Sequence, residues 1–187
     1  MLEEHWKLEI DKVTEKFIVS FGSLTASKLN YKPGPNVWSI AQNIAHLILV
    51  NNSYFQNFDE IKKGNHVLPS IDAMDEFVTN SLQTLRPYTR EDRPKTANTW
   101  DIWQPSRETF GPEILKDFTN HQSIFKMHIE TLQAFFLHST FIKYPGEAKL
   151  AFRLEDCINF LIEHENRHWT QAHEAKQYFD QQIKNGR

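Results

Sequence analysis

One cysteine, Cys157, stands in 187 residues, so an intrachain disulfide framework is excluded. A lone thiol suits a reducing compartment. Basic clustering is missing as well: 21 Lys and Arg against 24 Asp and Glu give a net charge of -3. No Lys/Arg run could track a phosphate backbone, which argues against nucleic acid as a partner. Long apolar runs are absent too. The longest, over residues 44–50, is broken by His46 and falls far short of the roughly 20 residues that span a bilayer. The first residues, Met1-Leu2-Glu3-Glu4-His5, are acidic where an export signal needs positive charge. A cytoplasmic protein with no membrane partner is expected. Nor does the chain carry a convincing alternating strand pattern, an internal repeat or a low-complexity tract. A chain of this length can build a substantial core without a structural metal, so any metal it binds is expected to be functional.

Helical periodicity fills the chain instead. Trp6, Ile10, Val13, Phe17, Phe21 and Leu24 recur at steps of three or four and predict one amphipathic helix over residues 3–30, stopped by Lys32-Pro33-Gly34-Pro35-Asn36. Ser39 followed by Gln42 has the form of a capping box and starts a second helix reaching about residue 63. A shorter pattern over 71–85 precedes residues 87–112, whose four prolines disfavour regular helix. There Trp100 and Trp103 read as hydrophobic anchors or as a cover over a pocket, with packing preferred. A third long helix is predicted over 115–136. A loop at Tyr144-Pro145-Gly146 follows, and a final helix runs over 154–182 with Glu155 and Asp156 suiting its N-terminal dipole. The expectation is a single all-α domain over residues 1–187, a four-helix bundle with a long crossover connection between helices two and three.

The chemistry concentrates in His164-Glu165-Asn166-Arg167-His168. Two imidazoles at i and i+4 lie one turn apart on one helix face and can close on one metal ion. At 100° per residue with His164 at zero, His168 falls at about +40°, Cys157 at about +20°, Phe160 at about -40° and Gln171 at about -20°. The apolar members of that stripe turn the histidines toward the bundle interior. Cys157 lies about 10 Å along the axis from His164, too far to share its ion, and reads as a small core residue. Glu165 flanks the pair at about +100°, and His173, at about 180°, belongs on the surface. The third ligand stays open at this level. His46 shares a face with Ser39, Gln42, Asn43, Val50 and Ser53 that is either solvated or lines a polar cleft; His121 and His128 edge the apolar stripe of the third helix and read more readily as core or boundary residues. His5, His66 and His138 should be solvated, and Trp38 and Trp169 should be core. The His-Glu-x-x-His string also matches a zinc-protease signature. Only nineteen residues follow His168, continuing the same helix, and Glu174 lies about 120° away around it, which disfavours a protease of that type.

Two segments resemble the DinB/YfiT-like family of metalloenzymes: residues 35–47, with Trp38-Ser39 leading to His46-Leu47, and residues 144–171, with Tyr144-Pro145-Gly146, Leu154-Glu155-Asp156 and His164-x-x-x-His168-x-x-Gln171. The resemblance implies a four-helix bundle and a divalent metal, zinc or nickel in first place, held by His46, His164 and His168. It thereby selects His46 over His121 and His128. Characterised relatives use low-molecular-weight thiols, which implies a thiol-dependent S-transferase acting on small electrophiles. A metal-dependent hydrolase and a non-catalytic metal-binding or interaction protein are the alternatives. Within this frame Glu165 is the candidate general base, and Asn43 and Gln171 are candidates for lining the cofactor pocket and orienting a ligand. The expected partner is a small-molecule substrate, and a homodimer is the expected assembly.

Overall fold

The computed structural model of the chain describes residues 2–65, 101–106, 109–136, 140–145 and 151–186. The helix predicted over 71–85, Trp100, His66 and His138 lie outside them. Four long helices carry the core: α1 (Leu2–Phe21), α3 (Ile40–Lys62), α4 (Ile114–Thr131) and α6 (Leu154–Lys184). Two single-turn helices, α2 (Ala26–Leu29) and α5 (Gln133–Phe136), and a 3-10 turn at Asp101–Trp103 complete the helical elements among the described residues. No helix among the described residues is long and apolar enough to cross a membrane.

The expected stripe of α1 is buried as written, with Trp6, Ile10, Val13, Phe17 and Phe21 all inside. Burying each such side chain contributes about 1.5–3 kcal/mol. The helix is shorter than predicted, ending at Phe21 instead of near residue 30. A Cβ at Gly22 would sit 2.6 Å from the Ile18 carbonyl oxygen, so glycine permits the close approach that ends the helix there. Thr25 then caps the separate turn α2 by accepting from the Lys28 amide.

A second correction concerns strands. Phe141–Lys143 (β1) pairs antiparallel with Ala151–Arg153 (β2), Phe141 opposite Arg153 and Lys143 opposite Ala151. Three residues are too few for an alternating pattern to rise above the helical signal around them. The Leu154 amide donates to the Thr140 carbonyl at 2.9 Å, so the hairpin leads directly into α6.

Side-chain pairs fix the helix directions. Lys7 with Glu130 and Asp11 with Lys126 make α1 and α4 antiparallel, whereas Trp6 with Asn159 and Ser20 with Trp169 make α1 and α6 parallel. Asn43 with His168 and Asn51 with Glu165 make α3 and α6 antiparallel. Each of α1 and α3 packs against both α4 and α6. It follows that α3 and α4 are parallel neighbours. The chain must therefore travel back along the 23-residue α3, roughly 34 Å, before α4 can start. That return is the physical reason for the long crossover predicted from the proline-rich segment.

Candidate metal centre

The centre is assembled across α3 and α6. Ser39 opens α3 with the capping box read from the sequence: its hydroxyl accepts from the Gln42 amide, and the Gln42 side chain accepts from the Ser39 amide, each at 3.1 Å. The cap fixes where the first turns of α3 point, and these carry Asn43 and His46. On α6 the i, i+4 spacing stacks His164 and His168 on one face. Their rings meet His46 from the opposite helix, with Nε2 of His164 3.4 Å from Nε2 of His46 and 3.1 Å from Nε2 of His168. All three side chains are buried, and they form the one His/Cys/Asp/Glu group of metal-binding geometry among the described residues.

Hydrogen bonding outside the triad sets the tautomers. Nδ1 of His46 lies 2.8 Å from the Trp103 carbonyl oxygen, which can only accept, so that nitrogen carries the proton. The Asn43 amide nitrogen donates to the Ser39 carbonyl at 2.9 Å, which turns its Oδ1 toward Nδ1 of His168 at 2.8 Å. His168 is thus also a donor at Nδ1. Both Nε2 atoms point lone pairs into the same space as His164. A proton on Nε2 of His164 can satisfy only one of them, and Nδ1 of His164 has no hydrogen-bond partner among the described residues. The residues fit a cation: nitrogens about 2.0–2.1 Å from a tetrahedral zinc would lie about 3.3–3.4 Å apart.

Electrostatics agree. Burial pushes His46 down to about 4, against the raising effect of its bond to Trp103, with the Arg167 charge adding to the fall. His164 and His168 are held well below the usual histidine range, first by burial and then by their neighbouring imidazoles and Arg167. Three buried rings held neutral, with nitrogens converging on one point, could hold a metal ion.

The remaining candidates distribute unevenly. Asn43 places Oδ1 2.8 Å from Nδ1 of His168. Gln171 is half-buried on α6, one turn beyond the ligands. Glu165 is fully buried between three helices, accepting from Asn51 at 2.7 Å and from Gln122 at 2.8 Å. Burial raises its carboxyl to about 7 against the lowering effect of those two donors. Asn51 and Gln122 went unrecognised, although a glutamine within the apolar stripe of α4 was a signal. The Trp103 carbonyl left none, since any residue carries one. His46 is 2 % exposed, so the polar face of α3 lines the interior and is not solvated. His121, His128 and Cys157 are buried, and His5 is exposed, as expected. Three expectations need correction. His173 is half-buried and stacks on Trp169, their ring centroids 5.1 Å apart. Trp169 is only half-buried because its indole nitrogen reaches out to Lys16 and Ser20 on α1. Trp38 is also half-buried, its ring 4.7 Å from His46 and stacked 5.7 Å from His168.

The sequence has a counterpart among known families. A family model described as the DinB superfamily matches residues 9–172. The chain belongs to the DinB superfamily. That membership and the three-histidine cluster together fit a metal-binding protein, and the matched span includes every residue of the centre. No curated protein and no solved structure matches this DinB superfamily member.

Proposed function

We propose that the protein is a thiol-dependent S-transferase for small electrophiles, working with a divalent ion held by His46, His164 and His168. The observation that carries this reading is the donor set: among the described residues, three neutral imidazoles and no carboxylate converge. Such a set leaves the charge of an ion uncancelled, and an ion held there would lower the pKa of a thiol and hold the sulfur as an anion. The chain supplies the surroundings. Asn43 and the Trp103 carbonyl keep Nδ1 of two ligands protonated, so that their Nε2 lone pairs face inward. Trp38 lays a half-exposed indole against His46 and His168, an apolar wall at which an electrophile can rest out of bulk water. In the transfer the thiol loses its proton to solvent, its sulfur bonds to the electrophilic carbon, and the bond from that carbon to its leaving group breaks, the leaving group departing with the electron pair and taking up a proton from solvent. A small molecule and a low-molecular-weight thiol are the partners in this reading, and a homodimer is its assembly.

The test is turnover of model electrophiles by zinc- or nickel-loaded protein, with and without low-molecular-weight thiol. Turnover that requires both metal and thiol is expected. Turnover unchanged on omitting thiol would replace the reading with a hydrolase. Protein that loads metal but is inert with thiol and with water would replace it with a binding protein.

A further inference from the structure

The 3-10 turn Asp101–Trp103, in the described part of the crossover, touches the metal centre. It is held on α3 from two sides of His46. The Trp103 indole nitrogen donates to the Ser53 hydroxyl at 3.0 Å, and that hydroxyl donates in turn to the Val50 carbonyl at 2.6 Å, which aims its lone pair at the indole. The Gln42 amide reaches the Ser106 carbonyl at 3.5 Å, a long contact on the other side. The Trp103 ring is 3 % exposed and stands edge-on to Tyr144, centroids 5.4 Å apart at 89°. The side chain is thus anchored by an apolar contact and a hydrogen bond, while its own carbonyl oxygen faces Nδ1 of His46 at 2.8 Å.

We infer that Trp103 is a positioning residue of the metal centre, its anchored side chain holding the backbone carbonyl that fixes the tautomer and ring angle of His46 and thereby sets metal affinity. The inference rests on the metal-centre reading. Its chemistry is that of a ligand imidazole held by an acceptor on its far nitrogen, whose loss typically weakens metal binding about 10–100-fold. Because the carbonyl belongs to the main chain, no substitution deletes it directly. Its position depends on how firmly the indole is held, and that can be varied in steps. Coupling runs both ways: an ion that prefers His46 in this orientation also favours the seated turn by the same factor.

The experiment titrates metal-free full-length protein with Zn2+ against a competing chelator and with Co2+ followed by visible absorption. It compares wild type with Trp103→Ala, Trp103→Phe and Ser53→Ala, with unfolding temperature recorded for each metal-free protein. Trp103→Ala, which frees the carbonyl, is expected to weaken Zn2+ binding about 10–100-fold and to shift the Co2+ bands. Trp103→Phe keeps the edge-on contact with Tyr144 but loses the indole N–H, and Ser53→Ala loses only the hydroxyl. Both are expected to show the same smaller weakening. A folded Trp103→Ala with wild-type affinity and an unchanged Co2+ spectrum overturns the inference. If Trp103→Ala does not fold, wild-type behaviour in both Trp103→Phe and Ser53→Ala overturns it. Wild-type protein that takes up no metal overturns the metal-centre reading itself, before any variant is compared.

Discussion

Two groups of buried histidines lie within one bundle and differ in where their ring nitrogens point. On α3 and α6, three rings turn Nε2 inward, and the far nitrogens of two of them are tied to fixed acceptors. On α4, His121 and His128 are equally buried, but they pack on Phe55 of α3, with centroids 4.7 and 4.5 Å from its ring. Burial holds both of these below the usual range, His121 down to about 4. Among the described residues, His121 Nε2 and His128 Nδ1 have no hydrogen-bond partner, and Asp59, 3.9 Å from the latter, is too distant to bond it. Desolvation and a depressed pKa are therefore common to both groups. Convergence of lone pairs, enforced by neighbouring acceptors, belongs to one alone. A perturbed histidine marks burial first; geometry decides whether it marks a site.

The comparison is broken most directly by removing one ring from each group. His164→Ala is expected to abolish stoichiometric zinc uptake after dialysis, measured by elemental analysis, while His121→Ala keeps one ion per chain. Retained uptake in the first, or loss in the second folded variant, would reverse the two assignments. In wild type, zinc at 100 times its dissociation constant should stabilise the fold by about 2.7 kcal/mol, and the His164→Ala protein should show no such gain in thermal unfolding.

Glu165 lies beside His164 in sequence and bonds Gln122, the neighbour of His121, so it joins the two regions. Glu165→Ala strips an acceptor from two buried amides and is expected to cost about 2–5 kcal/mol by urea denaturation. Glu165→Gln, with one acceptor kept, should cost less. If it loads metal normally yet loses turnover, the carboxyl takes part in the chemistry, whereas unchanged turnover confines it to the fold.

One ring of the α4 group can also be followed by pH. His121 has a folded pKa below its unfolded value, so between pH of about 6.5 and about 4 the unfolded chain binds a proton that the folded chain refuses. Stability is then lost as pH falls through that window, on the order of 3 kcal/mol from this residue. His121→Phe, which keeps a ring against Phe55, should flatten the slope by about one proton while metal uptake persists. An unchanged slope in metal-free protein would mean that His121 does not titrate differently on unfolding.

The smallest effect belongs to the cap of α3. Ser39→Ala should cost about 1 kcal/mol in unfolding free energy. Asn43 bonds the Ser39 carbonyl and not its hydroxyl, so zinc stoichiometry should not change. A loss of uptake would show that the cap positions His46 more tightly than the main chain does.

Much was legible in the residue order because the signals are local. The 3.6-residue stripe of α1, the Ser39–Gln42 box and the i, i+4 histidine pair each rest on spacings of one helical turn. Errors fell where the signal is short or depends on distant partners. Gly22 and Thr25 end one helix and begin another within four residues, and three-residue strands carry no period. The half-exposure of Trp38 and Trp169 depends on which helices stand beside them.

The sequence by itself determined that this chain forms helices with apolar faces inward, and that two imidazoles share one face of the last helix. Only the tertiary structure decided that His46, 118 residues before His164, completes the cluster while His121 and His128 do not. Helical phase fixes what a side chain's own helix allows. Which lone pairs meet across the bundle, and which carbonyl holds a ring in place, depends on how the helices pack, and no local pattern contains that.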